Sequence, residues 1–257
     1  MNTIALHFGK NKTTLETASC FDELTFAQLQ EVVKYMSQLQ MYEFPDSLLQ
    51  SLLGLDEKTI AIISPIQKYA LQETFEFLRE TPKFSHLICN EITIQSSPPS
   101  EGLGVVYYGY LPKFSNTTWE EFIFADQFFM NGQYAEAVAV LYRPKRSDYN
   151  GEQDIRIPFS PYGLQKRVPD FANLDTNILS CLVLNYSGLR QSHIVERYPQ
   201  IFTHSADTKQ PQEDNFSWLN VHRNVLGEQY FEEEKILKTA VHTVLDRLNK
   251  LLDPKKK

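Results

Sequence analysis

The chain has 257 residues, of which 42% are hydrophobic, so it is long enough to bury a sizeable core in one large domain or two small ones. Its formal net charge of -7 argues against bulk attraction to nucleic acid, whose binding proteins usually carry a basic face. The sequence has neither an apolar run of about 18 residues nor the basic, apolar and small-residue order of a signal peptide, so we expect no membrane span and a cytoplasmic location.

The first predicted elements are a short strand and three helices. A weak alternation of apolar residues over 3–8 predicts the strand. Thr25, with Gln28 three positions later, matches a capping box, which predicts that a helix begins there. Ser64 followed by Pro65 predicts the start of the third helix, because serine caps a helix and proline is tolerated in its first turn. A shorter amphipathic helix is predicted between these two.

The middle of the chain combines a β element with an aromatic helix. Two strand-like stretches within 86–110, separated by a turn-rich segment, predict a hairpin or a pair of extended segments. The stretch TTWEEFIFADQFF at 117–129 carries apolar residues on nearly every side, which is typical of a buried helix. We predict that its Trp119, Phe122 and Phe129 are core residues.

The rest of the chain is predicted to be a long loop followed by further helices. Residues 143–170 contain four prolines and little periodicity, which predicts the loop. The polar segment 204–215 predicts a linker. We therefore predict a main domain over 1–203, the linker, and a C-terminal helical pair over 216–257. The predicted fold class is mainly α with a small β element (α+β), a helical globular protein.

The sequence contains no motif for a cofactor, a metal ion or a catalytic nucleophile. There is no glycine-rich phosphate loop, no G-x-S-x-G and no H-E-x-x-H, and no two of the six histidines stand three or four residues apart. The three cysteines lie far apart without a C-x-x-C pair. We predict no cofactor, no metal site and no catalytic residue. A site assembled from distant segments is the alternative, since active-site residues usually come from separated parts of a chain.

Asp126 is the lone carboxylate in the second half of the aromatic helix. If it were buried without a partner beside Phe122 and Phe129, its pKa would rise, and carboxyls with a raised pKa are candidate acids or bases. Buried charges are normally paired, however. We therefore predict a structural role in which Asp126 binds a cation such as Arg143 or Arg156 and holds the loop against the helix.

The loop over 143–167 is basic although the protein is acidic. Its aromatic residues, interleaved with cations, would suit single-stranded nucleic acid and an acidic or disordered protein segment equally well. A solvated loop without a partner is the third interpretation. We select the loop as the predicted contact surface, and its cations are Arg143, Lys145, Arg146, Arg156, Lys166 and Arg167.

Trp218 and His222 form a second tentative contact surface. They stand one helical turn apart in a predicted C-terminal helix, so their side chains can meet on one face. Pairs of this kind also occur as simple packing at the edge of a core. Both interpretations stay open from the sequence.

The segment from Tyr107 to Lys145 resembles a family encoded by tailed phages and prophages near their tail genes. The family pattern is a Y-G-P-like turn, an asparagine before a T-[FW]-x-[EQ]-F-x-x-[AD]-D helix, and a V-A-[VT]-L-Y-R-P ending. Tyr110 stands where proline is common in the family. The matching positions are Asn116, Thr118, Trp119, Glu121, Phe122, Ala125, Asp126 and the VAVLYRP of 138–144. Segments from Leu184 and from Phe216 also look like the family's closing segments, so the resemblance covers most of the chain.

The resemblance implies a non-enzymatic protein of phage tail morphogenesis. It suggests a cytoplasmic assembly chaperone or a structural adaptor that binds another tail protein, such as the tape-measure or tail-tube protein, in the bacterial host or in the virion. It assigns no catalytic or binding residue and leaves the oligomeric state open. The alternative is an enzyme with a pocket around Asp126 and the loop 143–167. A buried salt bridge at Asp126 favours the first class, and an open pocket with convergent polar groups favours the second.

Overall fold

The structure is a computed structural model that describes residues 1–8, 11–36, 44–95, 104–151, 154–202, 217–226 and 232–252. The chain divides into two compact units. The first unit comprises Met1–Phe84 and Thr176–Gly188, and the second comprises Ser85–Asp175 and Leu189–Lys257. The predicted linker 204–215 lies outside the described residues.

The predicted fold class, mainly α with a small β element, is confirmed. In the part of the chain that the structure describes, the helices are α1 (Phe26–Tyr35), α2 (Asp46–Leu53), α3 (Glu57–Ile62), α4 (Pro65–Thr74), α5 (Trp119–Met130), α6 (Tyr134–Leu141), α7 (Pro161–Ala172), α8 (Thr176–Arg190), α9 (Pro199–Phe202), α10 (Trp218–Leu226), α11 (Glu233–Leu237) and α12 (Val241–Leu251). The strands are β1 (Asn2–Phe8), β2 (Asn11–Thr17), β3 (Glu91–Ile94), β4 (Val105–Tyr108) and β5 (Arg143–Pro144). None of these helices has both the length and the apolar composition needed to cross a membrane.

The first unit begins with an antiparallel pair of strands. β1 pairs with β2 from Asn2 opposite Thr17 to Phe8 opposite Asn11. The strand predicted over 3–8 is therefore confirmed, and it starts one residue earlier. The sequence does not predict its partner β2, because that strand has few apolar residues and most of its described side chains are exposed.

Capping boxes start α1 and α4, as the sequence predicts. Thr25 Oγ1 accepts a hydrogen bond from Gln28 N at 3.2 Å, and Gln28 Oε1 accepts one from Thr25 N at 2.9 Å. Ser64 and Gln67 form the same arrangement at the start of α4, with Pro65 in its first turn. Each box provides partners for backbone N–H groups that have none inside the helix.

The core of the first unit includes residues of α1, α2, α4 and α8. Leu29 of α1, Leu48 of α2 and Phe75 at the end of α4 are fully buried. α8 comes so close to the segment after α4 that a Cβ at Gly188 would lie 2.5 Å from Phe84 Cδ2. Glycine at this position therefore permits the close packing of α8 in the first unit.

The second unit contains a three-stranded antiparallel sheet and a series of packed helices. β4 pairs with β3 on one side and with β5 on the other, which confirms the β element predicted within 86–110. α5 packs against α6, and α6 packs against α7. α5 begins after Thr118, whose Oγ1 accepts a hydrogen bond from Glu121 N at 3.3 Å. The predicted aromatic helix is therefore the start of this packed series.

The predicted loop over 143–170 is wrong in its second half. β5 lies at its start, and the backbones of Lys145 and Arg156 form an isolated β-bridge. α7 then occupies Pro161–Ala172. Pro161 is in the first turn of this helix, where a backbone N–H has no helical partner in any case, so the proline starts the helix instead of preventing it. Because prolines usually interrupt helices, the sequence pattern predicts a loop here instead of α7.

The C-terminal helices belong to the second unit, which corrects the predicted separate pair over 216–257. α10 and α12 both pack against α5. The backbone N–H of Trp119 donates to Thr239 O at 2.8 Å, and that of Val241 donates to Thr117 O at 3.0 Å. The described part of this segment therefore shares a core with α5.

Candidate functional site

One face of α5 is sealed inside the second unit. Trp119, Phe122 and Asp126 lie on it at helical spacing, and all three are fully buried. The predictions that Trp119 and Phe122 are core residues are confirmed. A charged side chain fully buried in this aromatic face requires an internal partner.

Phe129 is half-buried, so its predicted place in the core is wrong. Its ring packs against Tyr134, with ring centroids 6.0 Å apart. The reason is its position in the last turn of α5, where the neighbouring Met130 is exposed. The aromatic helix is therefore buried along its first two turns and reaches the surface at its end.

Asp126 is held by a cation and by an indole. Arg190, the last residue of α8, donates to both carboxylate oxygens, with Nη2 3.0 Å from Oδ2. The indole N–H of Trp218 donates to Oδ2 at 2.6 Å. The prediction that Asp126 pairs with a cation is confirmed, but the partner is Arg190. Arg143 and Arg156 bind a different carboxylate instead.

Asp126→Asn should lower the free energy of unfolding by about 3 kcal/mol, because it keeps the shape of the side chain and leaves the Arg190 guanidinium without its carboxylate. This value is at the lower end for a buried pair, since the Arg190 side chain is 17% exposed and water screens part of its charge. Urea denaturation measures the difference. Asp148→Asn is the matched control, because Asp148 pairs with Arg146 at the surface and its change should leave the urea midpoint in place. Equal midpoints for Asp126→Asn and the parent would contradict the structural role.

Trp218 and His222 are buried, which agrees with the interpretation as packing at the edge of a core and argues against the tentative contact surface. His222 Nδ1 accepts a hydrogen bond from Trp119 Nε1 at 3.1 Å, and His222 Nε2 lies 3.3 Å from Glu233 Oε1. An indole nitrogen can only donate, so Nδ1 is unprotonated and Nε2 carries the hydrogen. The rings of Trp119 and Trp218 meet edge to face, with centroids 5.5 Å apart. Both residues therefore join α10 to α5.

The arginines of the predicted basic loop are largely buried. Arg143, Arg156 and Arg167 are each at least nine-tenths buried. Glu121 of α5 binds two of them, with Oε1 2.9 Å from Arg143 Nη1 and Oε2 3.3 Å from Arg156 Nη2. Arg156 also binds Asp154, with Nη2 2.7 Å from Oδ2. These three arginines lie inside the second unit, so the predicted contact surface is wrong in their case.

Burial disfavours the protonated forms of Arg143 and Arg167. Burial and the charge of Arg156 lower the pKa of Arg143. Burial and the charge of Arg143 lower the pKa of Arg167 to about 10. Arg167 Nε donates to Ala139 O at 3.1 Å, whereas Arg143 Nε and Arg167 Nη2 find no hydrogen-bond partner among the described residues. The buried carboxylate of Glu121 compensates the charges of Arg143 and Arg156.

The other cations of the predicted surface remain wholly or partly exposed. Arg146 binds Asp148 through two hydrogen bonds of 2.6 and 2.7 Å. Lys145 Nζ lies 5.2 Å from the centroid of the Tyr149 ring. Lys166 is exposed on α7. Pairing and stacking of this kind reduce the local field, so the surface is less basic than its sequence indicates.

A charged pocket of about 260 Å³ lies where α5 meets the segment after β5. Its charged lining residues are Glu120, Glu121, Arg143, Arg146, Asp154, Arg156 and Lys238. Glu120 is half-buried, and burial together with the charge of Glu121 raises its pKa. The pocket therefore contains one carboxyl with a raised pKa, that of Glu120, and most of its other charged side chains pair with one another.

A second face of α5 forms an apolar groove of about 340 Å³. Its lining residues are Ile123, Phe124, Gln127, Phe128, Ser217 and Trp218. The four from α5 recur at intervals of three and four residues, as on one helix face. Phe124 contacts Phe128 and Phe159, with ring centroids 6.2 and 5.4 Å apart. Phe159 also lines the charged pocket, so the apolar groove and the charged pocket adjoin.

The sequence does not predict the apolar groove. Apolar residues occur all round α5, so its sealed face and its groove face look alike in a pattern search. The available signal is Gln127, a neutral polar residue among Ile123, Phe124 and Phe128. In the structure Gln127 is half-buried, and its Oε1 accepts a hydrogen bond from Trp218 N at 3.1 Å, so this polar residue lies at the border between the groove and α10.

Neither a metal site nor a known relative guides the interpretation further. In the described parts of the chain, no group of three or more His, Cys, Asp or Glu side chains could hold a metal ion. No protein-family model, no curated protein and no solved structure matches the chain.

Proposed function

We propose that this chain is a non-enzymatic protein of phage tail morphogenesis that binds another tail protein, either as a cytoplasmic assembly chaperone or as a structural adaptor in the virion. The observation that carries the proposal is the contrast between the two faces of α5. Asp126 is buried in an ion pair, and the accessible stripe is apolar. A catalytic carboxylate needs access to its substrate, whereas an apolar stripe suits a protein partner. The sequence resemblance to the phage family supports the same class.

The apolar groove is the proposed contact surface. Phe124 and Phe128 present half-buried rings that apolar side chains of a partner would cover. Aromatic anchors of this kind dominate the energetics of many protein interfaces. The adjoining charged pocket would orient the partner through Glu120, because charged rims mainly set direction and register. The apolar groove thus replaces the basic loop as the main surface in the proposal.

An enzyme centred on Asp126 is the alternative from the sequence. Asp126 lines neither the apolar groove nor the charged pocket. Within the charged pocket, Glu120 has a raised pKa, but the neighbouring guanidiniums are committed to other carboxylates. This arrangement supports a structural interpretation of the arginine cluster and favours the binding function.

The double change Phe124→Ser and Phe128→Ser should reduce recovery of the tail partner by about tenfold or more, since central aromatic anchors often contribute about 2 kcal/mol each. The measurement is a co-expression pull-down with the tail proteins encoded near the gene, tape-measure and tail-tube candidates first. Met130→Ser is the matched control, because Met130 lies on the same helix outside the apolar groove and should keep the partner. Thermal melting checks that each variant is folded.

The remaining surface cations give the second control. Changing Lys145, Arg146 and Lys166 to serine together should reduce recovery only slightly, and mainly at low ionic strength where charges are weakly screened. If the phenylalanine double variant recovers its partner as well as the parent does, the groove is not the contact surface. If the triple variant alone loses the partner, the basic loop takes its place.

A further inference from the structure

α4 of the first unit carries an exposed apolar face. Ile66 and Tyr69 lie one turn apart on α4 and are 83% and 63% exposed, and Ile62 at the end of α3 is 67% exposed. Leu71 on the opposite side of α4 is buried, so the helix is apolar on its inner and its outer side. Two large apolar side chains exposed on one side of a helix suit a docking surface, whereas single exposed apolar residues are ordinary.

An acidic rim borders the face of α4. Glu73 follows Tyr69 by one helical turn and is exposed. A polar depression of about 380 Å³ next to Tyr69 is lined also by Gln72, Glu76 and Arg79. Glu76 binds Arg79 at 2.9 Å, which leaves Glu73 as the carboxylate nearest the apolar residues along the helix. The face therefore fits a partner that presents an apolar ring and, one turn away, a cation.

α7 of the second unit carries a face with this chemistry. Tyr162 is 85% exposed, and Lys166, one helical turn later, is also exposed. Pro161 and Pro169 extend the same side of the helix and are exposed as well. Leu164 is buried on the other side, so α7 keeps its inward packing whether or not its outer face is covered.

We propose that the α4 face of one copy binds the α7 face of a second copy. In this contact Tyr162 packs on Ile66 and Tyr69. Lys166 then faces Glu73 of the other copy. In each helix the aromatic residue precedes the charged residue by four positions, about 6 Å along the axis, so the two helices run in the same direction.

The proposed contact joins two different surfaces and is therefore heterologous. Each copy that has used one face still offers the other, so association continues into a closed ring or an extended filament. Two single helix faces bury less than the roughly 800 Å² per partner of stable complexes. We therefore expect a weak contact, with a Kd on the order of 100 µM, and an average mass that rises with protein concentration.

Sedimentation velocity of the full chain tests the proposal. The parent should grow in average mass between about 10 and 500 µM, a range that brackets the expected Kd. Ile66→Asp removes the α4 face and Tyr162→Asp removes the α7 face, so each variant alone should stay monomeric. An equimolar mixture of the two should form a dimer and nothing larger, because one intact face of each kind remains. Both positions are exposed, and circular dichroism melting confirms that the variants are folded.

A charge exchange tests the orientation of the contact. Glu73→Lys and Lys166→Glu should each weaken the association at least threefold, and the double variant should restore it, since the pair is then reversed. Met130→Asp, on an exposed position outside both faces, should associate like the parent. The Phe124 and Phe128 double variant should also self-associate normally, which separates this contact from the apolar groove.

Three results would overturn the proposal. The first is a parent that remains monomeric throughout the concentration range. The second is a mixture of the two single-face variants that forms no dimer. The third is association that Ile66→Asp abolishes and Tyr162→Asp leaves intact, because that result assigns the contact to two α4 faces.

Discussion

Glu121→Gln is expected to lower the free energy of unfolding by about 3 to 5 kcal/mol, a large part of the stability of a typical domain. Glu121 is buried and binds Arg143 and Arg156 at once. The amide keeps the size of the side chain but leaves two buried guanidiniums to share Asp154. Urea denaturation followed by circular dichroism measures the loss.

Glu234→Gln is the matched control for this prediction. Glu234 pairs with Lys238 on the surface of α11, where water already solvates both groups. Its change should leave the urea midpoint where it is in the parent. If Glu121→Gln and Glu234→Gln have the same midpoint, the arginine cluster does not stabilise the second unit.

Trp119→Ala is expected to cost about 3 to 5 kcal/mol, because it leaves a large cavity in a fully buried part of the core. The change also leaves His222 Nδ1 without the hydrogen bond from the indole. Trp119→Phe fills most of the space and should lose clearly less. Circular dichroism follows the unfolding, since the fluorescence of one tryptophan is removed.

Tyr162→Ala tests whether the destabilisation expected for Trp119→Ala comes from the burial of the ring. Tyr162 is exposed, so removing its ring should leave the melting temperature at about the parental value. Similar melting temperatures for Trp119→Ala and Tyr162→Ala would show that the aromatic helix is not the centre of the second unit.

The helix starts could be predicted because they depend on residues that are close in the sequence. Thr25 and Gln28 form their hydrogen bonds within one helical turn, and Thr118 caps α5 in a similar local way. Ser64 and Pro65 start α4 for the same reason. Local chemistry is sufficient for such features, whatever the rest of the fold does.

The polar interior of the second unit could not be predicted in the same way. Asp126 and Arg190 are 64 residues apart, and Glu121 and Arg156 are 35 residues apart. The sequence indicates that a buried Asp126 needs a cation, but many cations satisfy that need. Which one lies within reach depends on where Arg190 packs in the second unit, and this is a property of the tertiary packing.

The exposure of the cations in the basic loop could not be predicted from the sequence either. The sequence predicts that the cations of the loop face solvent, because charged residues are rarely buried unless they are paired. The carboxylate that pairs with Arg143 and Arg156 belongs to α5, outside the loop. The contact surfaces proposed for α4, α5 and α7 likewise depend on which side of each helix is left uncovered.

The edge-to-face tryptophan pair makes the second unit optically distinct from the first. The chain has two tryptophans, Trp119 and Trp218, and both belong to the second unit. Tryptophan emission therefore reports on the second unit, whereas far-ultraviolet circular dichroism sums the helices of both units. Coincident urea transitions by the two probes indicate that the units unfold in one cooperative step. Separate transitions assign the emission change to the second unit and the remaining loss of ellipticity to the first, so the stability of each unit can be measured in the intact chain without a label.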